Sequence, residues 1–389
     1  MPLTSYAEVR PWANAIRDAV LERKMPPWHA AGETAHAFRN DRSMTEAEIQ
    51  TVVQWVKAGS PEGGMVLPFV KSTTNAGWKL GKPDIIIRVP GFKVPASGQL
   101  DYRYLITGDL FPKNVWVRAA EFRIDKRAVV HHINAYARGP DSSYLAGYPK
   151  GEIVPATLAD RGRRRSDEGV FDRRIQLLGW EPGYEPMVWL PNGAKQIHAG
   201  SDIVFEMHYS PNGTEVTDYS EFGLYLQSAP PSQRVVAIDT LRDLDLAIPA
   251  GAADYVSRAS MTLAQSVRLL SVQPHMHYRG ASMEVRAIYP GGRSRLLVSV
   301  PKYDFHWQTT YLFNDPVLLP AGTRLESVAH FDNSPNNPRN PDPAASVHWG
   351  DMTTDEMHIA FLELAMPVEA DPEKLFAEPP RMIGTPAKK

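Results

Sequence analysis

From about residue 81 onward the chain breaks into short runs of β-branched and aromatic residues, each cut off by Pro, Gly, Asn or Asp. That pattern constrains the fold more than any other feature of the sequence. DIIIRVPGFKVPA, RYLITGDL, VWVRAAEFRI, VVHHINAYA, DIVFEMHYS and EFGLYLQS form one series. QRVVAIDT, VRLLSVQPHMHY, SMEVRAIY, SRLLVSV, TRLESVAHF and MHIAFLEL form a second. Runs of this length and composition are strand signals. The 34 prolines suit many short strands and turns better than long helices. The expected fold is therefore mostly β: two antiparallel jelly-roll-like β-sandwiches side by side, over residues 81–230 and 231–366.

A small helical segment precedes them over residues 1–64. Ser5 and Glu8 have capping-box spacing ahead of an apolar pattern that meets Pro11. Thr45 and Glu48 repeat that spacing before Ile49, Val52, Val53 and Val56, and Gly59 and Pro61 end the second helix. Met25-Pro26-Pro27-Trp28 between them must be extended. Residues 65–80 read as a linker and 367–389 as a proline-rich tail, either an extended strap or disordered. The stretch from Arg138 to Pro186, between VVHHINAYA and DIVFEMHYS, is loop-rich and long, a type that is often functional.

A chain of 389 residues has room for two or three domains. Its net charge of −2 gives no electrostatic case for nucleic acid or an anionic membrane. The basic run Arg161–Arg165 is followed at once by Asp167 and Glu168, and reads as a solvated loop. No stretch approaches the roughly 18 apolar residues of a transmembrane helix. The start, MPLTSYAEVRPW, shows no signal-peptide pattern. With no cysteine, disulfides, thiolate metal sites and covalent haem attachment through CxxCH are excluded.

Against that frame stand three histidine groups and one methionine. His275 and His277, in VQPHMHYRG, sit at i and i+2, which puts both side chains on one face of a strand. His131 and His132 are adjacent, so they meet one ion only if the strand twists, bulges or ends there. His208 lies in FEMHYSPNG and Met357 in TTDEMHIAF on the last strand. Each taken singly is more often a surface or core residue. Together they offer five imidazoles and a thioether, a donor set that suits copper cycling between Cu(I) and Cu(II). His306 and His330 are candidates for orienting ligands, although a structural or surface role is the more expected one for them, as for the remaining histidines.

In order and spacing these segments resemble the copper type II, ascorbate-dependent monooxygenases, which include peptidylglycine α-hydroxylating and dopamine β-monooxygenases. The resemblance covers roughly residues 81–366, including WLPNGAKQIHAGSDIVFEMHY and YDFHWQ. Intervals of 76, 67 and 80 residues separate His132 from His208, His208 from His275, and His277 from Met357. It implies two copper ions facing across a solvent-filled cleft. One would be an electron-storing site at His131, His132 and His208. The other would be an oxygen-activating site at His275, His277 and Met357. The implied partners are O2, a reductant (ascorbate or a redox protein) and a small organic substrate hydroxylated at a C–H bond. Peptide-hydroxylating members clamp a carboxylate with residues at the positions of Gln273, Ile359 and Phe361, so that substrate is not expected here.

LTSYAEVRPWANAI, MPPW and MTEAEIQTVVQWVKAGSPEG resemble the distal half of a c-type cytochrome domain, expected to pack against the first sandwich. In that class Met25 would be an axial haem ligand, a vestigial role here because CxxCH is absent. Relatives of this kind are typically exported, so a periplasmic or exported location is expected only if a leader is missing from this sequence. Two other readings stay open. One is a non-enzymatic copper-binding or electron-transfer protein on the same fold. The other is a mononuclear Fe or Zn enzyme of the cupin type, which leaves His131, His132 and Met357 without a role.

Overall fold

The computed structural model describes residue 3 and residues 5–64, 77–98, 100–108, 110–155, 174–350 and 352–380. Most of the 65–80 linker, the basic run at 161–165 and the end of the tail lie outside them.

Strand burial follows the period of two that the sequence announces. In Arg324–Phe331, buried residues alternate with partly or fully exposed ones, as expected for a strand with one face on a core. Asp202–Tyr209 differs: nearly every residue is buried. Ile203, Phe205 and Met207 face one core, while Val204 packs on the other face with Tyr104, Tyr136 and Tyr144. This strand is the middle of an antiparallel sheet whose spatial order is Ile153–Val154, Arg103–Ile106, Asp202–Tyr209, Val130–Arg138, Ile175–Trp180. A second antiparallel sheet, Tyr255–Thr262, Arg324–Phe331, Gly280–Ile288, Ser294–Val300, belongs to the other half.

Both sheets pack on one longer sheet. It runs Ile85–Arg88, Glu221–Gln227, Val115–Arg123, Gly193–Ile197, Gln233–Arg242, Ile359–Pro367, Val267–His275, Tyr311–Leu319. The molecule is thus mostly β, with two jelly-roll-like sandwiches that share this layer. The join is a short parallel pairing of Gln233 with Gly193 and Arg234 with Ala194, a departure from purely antiparallel order. Next to it, buried Lys195 places Nζ 2.7 Å from Glu363 Oε1, which also accepts from Trp189 Nε1 at 2.8 Å. That ion pair ties a strand of the first series to the last strand of the second. Two hydrophobic cores lie on either side of the seam.

The N-terminal helices form as the sequence predicts. Ser5 caps Tyr6–Val9, a 3-10 turn at Arg10–Trp12 absorbs Pro11, and Thr45 with Glu48 closes a full capping box on Glu46–Lys57. Ile49 and Val53 pack on Val20. The packing partner of the segment corrects an expectation. It is the second sandwich that receives Trp28, Ala30 and Phe38 into its core. Phe38 bridges Phe313, Arg39 N–H donates to Leu312 O, and Asn314 N–H donates to Ala37 O. The physical reason is the free edge of the long sheet at Tyr311–Leu319, which needs a cover. Trp28 meets Tyr311 edge-on at 5.0 Å and so supplies it. At the other end, Leu375 and Phe376 of the tail enter the same core.

Candidate metal centre

His131, His132 and His208 converge because of an irregularity in the sheet. Register pairs His208 with His132, then jumps to Tyr209 with Val130, so His131 is the extra residue of a bulge. The bulge lets adjacent residues aim the same way. One nitrogen from each ring lies within 4.8 Å of the others. Ring centroids are 5.1 to 5.3 Å apart. Tyr102 stacks on His208 at 4.9 Å and fixes that ring.

His275 closes the strand Val267–His275, so His277 falls just past the strand end rather than on it. The two rings still stand 5.3 Å apart at 86°. Met357 likewise precedes the last strand, which starts at Ile359. Buried Glu356 joins these pieces. Its carboxylate accepts from the backbone N–H of His277, of Arg279 at 2.9 Å and of Met357 at 2.9 Å. Burial pushes its carboxyl up to about 7 while these three donors pull the other way. His275 Nδ1 lies 2.5 Å from Gln308 Oε1, and His277 Nδ1 lies 3.4 Å from Asp355 O. Carbonyl oxygens only accept, so each Nδ1 carries the proton and each Nε2 keeps a free lone pair.

All six expected donors line one cavity of about 280 Å³. Between the clusters stands Phe305, its centroid 6.3 Å from His131 and 6.1 Å from His277. A side chain therefore occupies part of what the resemblance implies as an open cleft. Gln273, Ile359 and Phe361 also line the cavity. The 138–186 stretch contributes Arg174, Gln176 and Glu181. Asp239 pairs with both Arg174 and Arg242, at 3.0 and 3.1 Å, and Glu206 supplies a second negative charge near Arg174.

Burial favours the neutral form of His131, His208, His275 and His277. Desolvation lowers His131 and His275 to about 4 and His277 to about 3, and it lowers His208 as well. Neutral rings hold the lone pairs that metal binding needs. The first cluster also fits an ion on a separate ground. His208 Nδ1 is buried with no hydrogen-bond partner, and His131 Nδ1 faces His132 Nδ1 at 3.1 Å. A buried acceptor without a partner is costly, and a cation among these nitrogens would satisfy it.

Of the other histidines, His306 packs beside Phe305, near enough to influence His131. His330 makes a surface pair with Asp254 at 2.7 Å and is remote from a ligand-orienting role. His358 is held between Ser257 and Ser327 inside the second core. Met25 is 44% exposed. Glu356, Gln308 and Phe305 were not singled out by the sequence. The run YDFHWQ, singled out for His306, also carries Phe305 and Gln308.

No protein-family model and no curated protein matches the chain. Among solved structures, the VP2 subviral particle of infectious bursal disease virus aligns at 9% identity over 71% of this chain and 58% of that one, with TM-score 0.21. This chain thus spans under two thirds of that relative. Allantoicase from Saccharomyces cerevisiae aligns at 10% identity over 70% and 80%, TM-score 0.19. A putative secreted protein from Eubacterium rectale aligns at 12% over 68% and 69%, TM-score 0.22. Likeness at this level carries no argument about function.

Proposed function

We propose that this chain is a copper-dependent monooxygenase that hydroxylates a C–H bond of a small organic substrate. One observation carries the reading: six donors scattered over more than two hundred residues of sequence line a single cavity, three of them clustered as His131, His132 and His208. The overall change is R–H plus O2, two electrons and two protons, giving R–OH and water. Ascorbate or a redox protein supplies the electrons. Copper, when bound, provides one-electron cycling at each group.

The protein's own part is to hold donors and exclude water. His131, His132 and His208 form an all-imidazole set. His275, His277 and Met357 form a mixed set whose thioether favours Cu(I). Gln308 and Asp355 fix which nitrogen of each imidazole is free. Phe305, Ile359 and Phe361 give the cavity apolar walls beside the second group. No arginine stands at position 273, so a carboxylate clamp is missing there.

The test is oxygen uptake by copper-loaded protein under ascorbate, with hydroxylated product measured across a substrate panel. Met357→Ile is expected to fold, to retain the first copper and to lose more than about 100-fold in product formation, since even the outer partners of metal ligands are worth about 10–100-fold. Full turnover by that variant counts against the assignment. Two bound coppers with no product across the panel would favour the electron-transfer alternative.

A further inference from the structure

The cavity between the histidine groups does not end there. A second chamber of about 130 Å³ adjoins it, and the two share Asn134, Gln176, Glu181, Gln273, Gln308 and Phe361 as lining. Four of these six are carboxamides and one is a carboxyl. Beyond this neck the chamber is walled by Leu178, Pro182, Met187 and Trp307, and by Pro27 and Asn40 of the N-terminal segment. A polar neck leading into a mostly apolar chamber, directly beside His275 and Phe361, is the form of a pocket for a substrate's body.

We propose that this second chamber binds the body of the substrate, and that the neck recognises an uncharged group offering both a hydrogen-bond donor and an acceptor, a carboxamide in the simplest case. The proposal rests on the monooxygenase reading for the reaction, and on the lining of the two chambers for the binding.

Charge decides the class. A carboxylate would need a free cation at the neck. Lys195 is committed to Glu363 and to the carbonyls of Gln176 and Leu177. Arg42 lines only the outer chamber and donates to Gly183 O. Glu185 is paired with Lys79. Among the described residues, the Gln176 amide and the Glu181 carboxyl make no hydrogen bond or ion pair within the protein, so both are available to a ligand. Burial raises the Glu181 carboxyl to about 8. At neutral pH it is mostly protonated and presents a donor and an acceptor, like the amides around it. An ammonium ligand would require its ionisation, and the desolvation of two ions opposes that.

Three probes of matched size separate the classes: 2-phenylacetamide, 2-phenylethylammonium and phenylacetate. Binding to the full chain is read by calorimetry at pH 7 with no copper added. 2-Phenylacetamide is expected to bind at least about tenfold more tightly than the other two, the loss of one well-made buried hydrogen bond being about tenfold. Glu181→Gln should keep that affinity within about threefold, and Glu181→Leu should lose about tenfold. Met187→Trp, which fills the chamber, should abolish binding while the melting curve stays cooperative. Tightest binding of either ion overturns the proposal, as does equal affinity in Glu181→Leu or no binding of any probe. Because copper is absent throughout, failure here leaves the monooxygenase reading standing. Failure of that reading leaves this binding result intact.

Discussion

The two histidine groups are built by different means. At His131, His132 and His208 the backbone ladder does the work: a bulge between two long paired strands aims three rings at one point. At His275, His277 and Met357 regular pairing has already stopped or not yet begun. There a buried carboxylate, Glu356, gathers three backbone N–H groups from the two segments. The first group is a property of strand register and should tolerate loss of any one neighbour. The second depends on a single side chain that is not itself a donor to metal.

The largest expected effect follows from that dependence. Glu356→Ala leaves three N–H groups without this acceptor, two buried and one part-buried, and each buried one costs about 1–3 kcal/mol. Copper stoichiometry should fall from two to one, with the first group still loaded, and the melting temperature should drop. Two tightly bound coppers in this variant would break the contrast. The converse substitution, His208→Ala, should remove one copper at the first group. It should leave the second group and the fold unchanged, since His208 is half-buried and its Nδ1 holds no partner. Elemental analysis with thermal melting checks both variants.

A smaller effect sharpens the same comparison. Gln308→Leu removes the acceptor that fixes the His275 proton, and outer partners of ligating histidines are worth about 10–100-fold in metal affinity. Competition with a Cu(I) chelator should show weakening of that order at the second group only. An equal loss at both groups would mean that Phe305, packed against His131 and His277, couples the two.

The pattern of what the sequence revealed matches this difference in construction. The HH and HMH pairs are local, so spacing alone exposed them, and strand alternation located the elements that carry them. The condition that His131 and His132 share a target, a bulge, was derivable, but its presence depends on pairing with residues some 75 positions away. Glu356 in TTDEM has the composition of a solvated turn. Only the return of the last strand beside His277 buries it. Gln308 sits two residues beyond His306, and no rule of spacing prefers an amide to an imidazole there. The second sandwich's claim on Trp28 and Phe38 was equally hidden, because a free sheet edge is a property of the assembled layer and not of any segment.

Anomalous scattering at the copper absorption edge, from crystals of copper-loaded protein, tests the central claim most directly. Two peaks are predicted within one cavity. One should lie among the nitrogens of His131, His132 and His208, and the other among His275, His277 and the Met357 sulfur. A single shared peak, or a second peak bound away from Met357, would contradict the account.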